Sequence, residues 1–93
     1  MDKKARERQL IQEQAEGIEA KKLVNNKVWK EAVETLEASL IDAIRSGNWF
    51  QKKAREENCR RLQVLDDLKT VINNKLEMGE QARKRLEANN ANK

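Results

Sequence analysis

The chain has 93 residues and a mass of 10.8 kDa, with 39% charged residues, a formal net charge of +4 and a mean hydropathy of −0.99. No run approaches the roughly 18 apolar residues of a membrane span, and no signal-peptide pattern opens the chain. Zero His and one Cys exclude a His/Cys metal cluster, an internal disulfide and His-based catalysis, and the lack of Pro and Tyr argues against a β-rich fold. An all-α, charge-rich protein of a reducing compartment is expected, with only 24 large apolar residues to build a core.

The first stretch, Asp2 to Val24, is rich in the helix formers Lys, Arg, Glu, Gln and Ala. Its spacing Ile11–Ala15–Ile18 is helical but thin, and Gly17 costs about 1 kcal/mol relative to Ala. A helix is predicted over about 11–24, with residues 1–10 frayed because they have little to bury. Asn25-Asn26 then breaks the pattern, and Asn26 stands where an N-cap belongs.

Apolar steps of four and three through Trp29, Val33, Leu36, Leu40 and Ala43 predict the best amphipathic helix, about 27–45. Ser46-Gly47-Asn48 is the strongest break. Gly47 suits a left-handed C′ position and Asn48 a following N-cap, so an antiparallel helical hairpin with its tip at Gly47 is expected. A second long helix, about 49–86, carries Leu62, Leu65, Leu68, Ile72 and Leu76, widened by Val64, Val71 and Met78. Asn73-Asn74 and Gly79 are points where it could bend or stop. Residues 87–93 form a polar tail expected to be flexible, which leaves 11–86 as a single helical domain.

In an antiparallel pair Trp29 falls near Leu65, so everything after Leu68 overhangs. That overhang needs the first helix or a second copy of the chain as its partner. The expected core or oligomer stripe is Trp29, Val33, Leu36, Leu40, Leu62, Leu65, Leu68, Ile72 and Leu76. Trp49 and Phe50 are expected to plug the hairpin end over Leu40 and Ile44, with a partner-binding anchor as the sharper alternative.

Chemistry-bearing motifs are sparse. Cys59 lies beside Arg60 and Arg61, but with neither His nor a second Cys its expected role is that of a half-buried helix residue. The pairs Glu31/Glu34, Glu56/Glu57 and Asp66/Asp67 read as solvated helix faces with i,i+4 partners rather than as an acid/base site. No catalytic residue, metal ligand, cofactor or small-molecule substrate is assigned. The basic residues say more. Residues 47–93 hold eleven Lys/Arg against seven Asp/Glu, so the +4 excess equals the balance of that half. Lys52-Lys53, Arg60-Arg61 and Arg83-Lys84-Arg85 are the candidate contacts for nucleic acid or another anionic partner, with a solvated face as the alternative. Acidic residues are interleaved, and no helix-turn-helix is visible.

Three stretches together resemble a loose group of small helical proteins encoded by tailed bacteriophages and prophages near their packaging and head genes. They are Ala20-Lys-Lys-Leu-Val-Asn-Asn26 leading into Val28-Trp-Lys-Glu-Ala-Val-Glu-Thr-Leu-Glu37, the short tip after Ile44, and Ala54-Arg-Glu-Glu running into Arg61-Leu-Gln-Val-Leu-Asp-Asp-Leu-Lys-Thr-Val-Ile72 and Leu76-Glu-Met-Gly79. The resemblance spans about residues 20–82. Such proteins often have Pro after the Asn pair, where Lys27 stands here.

The resemblance implies a non-enzymatic viral component in the cytoplasm of a bacterial host, akin to a terminase small subunit. Such a subunit forms homo-oligomers, engages DNA and hands it to a large packaging subunit. The alternative is a protein-interaction module, an adaptor or inhibitor of a host or viral protein, that binds no nucleic acid. No membrane partner is expected.

Overall fold

The computed structural model describes residues 2–47 and 51–91, which form three helices: α1 at Lys3–Asn25, α2 at Lys27–Ser46 and α3 at Lys52–Ala91. No strand occurs among the described residues, and no helix is long and apolar enough to cross a membrane. Asn48, Trp49 and Phe50 lie outside them, and with them the predicted helix cap and the aromatic plug.

The helices start and stop for local reasons. Asp2 opens α1, its carboxylate accepting from the Lys4 amide at 3.4 Å. Asn26 caps α2: its side-chain oxygen accepts from the Trp29 amide at 3.0 Å, from an extended backbone at φ −71°, ψ 125°. That single capping residue separates two helices, and Lys27 holds the first helical position of α2. At the other end of α2, Gly47 is extended at φ −68°, ψ 134°, not left-handed as predicted. The Arg55 guanidinium supplies the cap instead by donating to the Gly47 carbonyl oxygen.

Helix reaches further at both ends than the periodicity predicts. α1 begins at Lys3 rather than near Ile11, and α3 runs through Asn73, Asn74 and Gly79 to Ala91 rather than stopping by Leu86. The physical reason is tertiary support, which propensity arithmetic omits: Leu10 and Ala82 are buried and Leu86 is half-buried, so these outer turns have something to pack on.

The residues cluster into two compact units. A terminal unit comprises Met1–Val24 with Val71–Lys93, and a central unit comprises Asn25–Thr70. Along α3 from its start to Gly79 the positions withdrawn from water are Arg55, Asn58, Leu62, Leu65, Lys69, Ile72, Leu76 and Gly79. Their steps alternate three and four, the heptad spacing of a helix that lies along another helix. This seam differs from the expected stripe. It takes in the polar Asn58 and Lys69 and leaves out Leu68, which is 44% exposed. On α2 the half-buried or buried residues include Trp29, Val33, Glu37, Leu40 and Ile44, while Leu36 is 50% exposed.

The two units fill their seams differently. In the terminal unit the buried positions are Leu10, Gly17 and Ala20 on α1 and Ile72, Gly79 and Ala82 on α3, with the same intervals of seven and three. A methyl group placed on Gly17 would come within 2.7 Å of Gly79 Cα, and one on Gly79 within 2.6 Å of Gly17 Cα. The two backbones therefore touch, and only glycine at both positions allows it. The part of α3 from Val71 onward thus has α1 of the same chain as its partner. In the central unit the buried large residues among those described are Leu40 and Leu65, and Lys69 and Glu37 form an ion pair at 3.1 Å.

Candidate interaction surfaces

The first surface lies in the central unit, at the start of α3. Lys52, Arg55, Glu56, Cys59 and Arg60 line an open groove there. Arg55 sits lowest: its Nη2 is held by the Gly47 carbonyl, and its Nε is buried without a partner among the described residues. Lys52, Lys53 and Arg60 are exposed, and Lys53 and Arg60, seven apart, share a helix face. The amides of the first turn of α3 add their partial positive charge to these cations. Cys59 is exposed on the groove wall rather than half-buried as predicted, because it falls outside the heptad seam.

The predicted cationic residues are not equivalent. Arg61 donates to Glu57 one turn back at 3.2 Å, an exposed pair of small energetic weight. Arg83 is committed twice: it binds the Glu80 carboxylate through two nitrogens and Glu87 at 2.7 Å. The hydrogen bond from Arg83 holds the Glu80 carboxyl below the usual carboxylate range, and the two acids together raise the Arg83 pKa. A phosphate would have to displace both acids to reach Arg83. Lys84 and Arg85 remain exposed beside it. Lys52, Lys53, Arg60 and Arg61 belong to the central unit and Arg83, Lys84 and Arg85 to the terminal unit.

The second surface is an apolar groove in the terminal unit. Ala15, Ala20, Leu23 and Ile72 line it, with Glu16, Glu19 and Lys75 at the rim, and its volume is about 430 Å³. The rim charges are matched within the chain, Lys75 with Glu16 at 3.4 Å and Lys22 with Glu19 at 3.2 Å. Of the carboxylates singled out in the sequence, Glu56 lines the groove at the start of α3, and others have partners on their own helix. Glu31 faces Lys27 at 3.8 Å, Glu57 faces Arg61, and Asp67 accepts from Gln63 at 3.0 Å. No group of three or more His, Cys, Asp or Glu that could hold a metal ion occurs among the described residues.

Sequence reading missed four structural residues. Arg55 caps α2 from eight residues away; Lys69 enters the seam as the partner of Glu37; and Gly17 with Gly79 makes the helix crossing. One signal was available: Gly17 lies seven residues after Leu10, and Gly79 seven after Ile72, so both glycines are in register with the core.

No family model matches the chain, and no curated protein or solved structure is significantly similar to it.

Proposed function

We propose that this protein acts without catalysis, by binding other macromolecules, and that its helices assemble with further copies or partners. The observation that carries this reading is the distribution of apolar residues. Among the described residues Leu10, Leu40, Leu65 and Ile72 are the large apolar side chains buried, whereas nine others, Val28, Leu36 and Val64 among them, stand exposed. Surface of that kind at helical spacing suits a protein completed by association.

The finer architecture belongs to the same reading. Gly47 meets Arg55 and Glu37 meets Lys69, so contacts run in opposite senses along α2 and α3, which supports a helical hairpin with its tip beyond Ser46.

The most concrete version is a phage DNA-packaging or assembly factor resembling a terminase small subunit, working in the cytoplasm of a bacterial host with a large packaging subunit as partner. It is supported by the resemblance over residues 20–82 and by the exposed Lys52, Lys53, Arg60, Lys84 and Arg85. Titration with duplex DNA tests it. Six phosphate contacts would cost about a thousandfold in affinity between 50 and 200 mM salt, and the substitutions Lys52→Glu and Arg60→Glu should flatten that dependence. Binding that is absent, or indifferent to salt, removes DNA from the proposal. The alternative, a protein-interaction module without nucleic acid, is favoured by the way Arg61 and Arg83 are already paired with acids of their own helix.

A further inference from the structure

We propose that a second copy of this chain docks along α2, its own α2 lying antiparallel on the outer face of this one about a two-fold axis between Leu36 and Ser39. The inference deepens the self-association reading and rests on it, but places the interface on one helix of the central unit and away from the Leu62–Leu76 stripe, whose Leu65 and Ile72 are buried inside the chain. α2 turns Val33, Glu37, Leu40 and Ile44 toward the seam. A second row runs beside them. Trp29, Ala32, Leu36, Ser39, Ala43 and Ser46 follow one another at steps of three, four, three, four and three. Trp29 is half-buried and the other five are exposed, Leu36 to 50%. Val28, 74% exposed, lies one residue before the row begins.

The absence of charge identifies the occupant. None of the six residues is charged, in a helix where seven of the twenty are. On α1 and α3 no row at this spacing passes four described residues before it meets a charge: Ile11, Ala15 and Ile18 lead to Lys22, and Val64, Leu68 and Val71 to Lys75. Alternating three and four is what a partner helix reads along its length. A charge pressed against this face would lose its hydration and gain no partner, so the docking helix must be uncharged over the same length. The α2 of a second copy is such a helix.

Residue size sets the direction. Antiparallel pairing about that axis places Leu36 opposite Ser39 of the second copy, Trp29 opposite its Ser46 and Ala32 opposite its Ala43, so large meets small and alanine meets alanine. Parallel pairing in register would stack tryptophan on tryptophan, leucine on leucine and serine on serine, which holds the helices apart at one layer and leaves a void at the next. The Ser46 hydroxyl already donates to the Asp42 carbonyl oxygen at 2.6 Å, so the layer can close over it without an unpaired donor. The row spans about 26 Å of helix, a small face that places the dimer among the weaker specific complexes.

Cysteine crosslinking in a Cys59→Ser background tests the inference. An equimolar mixture of Ala32→Cys and Ala43→Cys chains should give the mixed disulfide under mild oxidation. Either variant alone should stay unlinked, because its two copies would lie about 16 Å apart along the axis. Ala43→Lys should raise the dimer dissociation constant by about tenfold, and so should Ala32→Glu. Mixing those two should restore most of the affinity, since the new carboxylate and ammonium meet in one layer while the other keeps its alanines. Both positions are exposed, and each charge suits its end of the helix, so far-UV circular dichroism should keep its amplitude.

Rapid linking of Ala32→Cys alone with no mixed product would mean parallel chains and would overturn the proposal. An oligomer that Ala43→Lys leaves untouched would overturn it too, while self-association through another surface would stand. A monomer by light scattering at hundreds of micromolar would refute both the interface and the self-association it rests on, and would assign the row to a different protein.

Discussion

The terminal and central units show two ways for a chain with little apolar material to hold helices together. The central unit uses side chains: Leu40 and Leu65 are buried, Trp29, Val33 and Leu62 are half-buried, and Lys69 reaches Glu37 across the seam. The terminal unit uses their absence. Gly17 and Gly79 bring two backbones into contact, and Ala20 and Ala82 continue the close approach, with Ala82 1% exposed. Close approach lets backbone atoms make the dispersion contacts that large side chains make elsewhere. The two designs should therefore fail in opposite directions, one to a cavity and the other to added bulk.

The largest effect is expected at Leu65. Its replacement by Ala should destabilise the fold by about 3 kcal/mol, read as a lower urea midpoint at unchanged slope, because a buried leucine leaves both lost transfer energy and a cavity. Next comes Gly79→Ala, which by helix propensity alone should stabilise by about 1 kcal/mol. The added methyl has nowhere to go, and overpacking of about 2–3 kcal/mol should outweigh the gain and lower the melting temperature. Gly47→Ala supplies the contrast. There the backbone is extended and the nearest atom to an added methyl, the Ala43 carbonyl oxygen, is 3.3 Å away, a tight contact but not a collision, so the change should cost clearly less than Gly79→Ala. If Gly79→Ala stabilises instead, the glycine crossing is not what holds the terminal unit.

Smaller effects come from the helix ends and the charges. Asn26→Ala should cost about 1 kcal/mol through loss of the side-chain cap on α2, visible as faster amide exchange in the first turn. Removing the Lys69–Glu37 pair by Lys69→Met should cost under about 1 kcal/mol, since the two side chains are 42% and 35% exposed and solvent screens them. The smallest effect is the titration of Glu80. Its carboxyl lies below the ordinary value of 4.5 in the folded chain, so its contribution is complete above that value and is lost as pH falls through the lower, folded one. NMR titration should show that depression, and Arg83→Gln should abolish it.

How much of this was legible beforehand varied with the kind of residue. The Asn26 cap and the α2 periodicity could be read directly, because capping and amphipathicity are local and act within a few residues. The seam of α3 could be read only in part. Val64, Leu68, Val71 and Met78 are as apolar as Leu62, Leu65, Ile72 and Leu76, so apolarity could not say which row faces the chain's own helices. Gly17 and Gly79 were read as local costs, because the compensating contact is between residues far apart in sequence. The seven basic residues were legible as charge but not as a site, since the pairing of Arg83 with Glu80 and Glu87 depends on side-chain geometry.

By itself, the sequence determined the helical class, the break at Asn26 and the excess of positive charge in the C-terminal half. Each follows from composition or from interactions spanning a turn or two. Only the tertiary structure decided that α1 covers the far end of α3, that two glycines form the crossing, and that one of two apolar rows on α3 is left in water. Those outcomes depend on which surfaces meet, and two helix faces of equal apolarity are separated only by the register and distance at which a partner helix arrives.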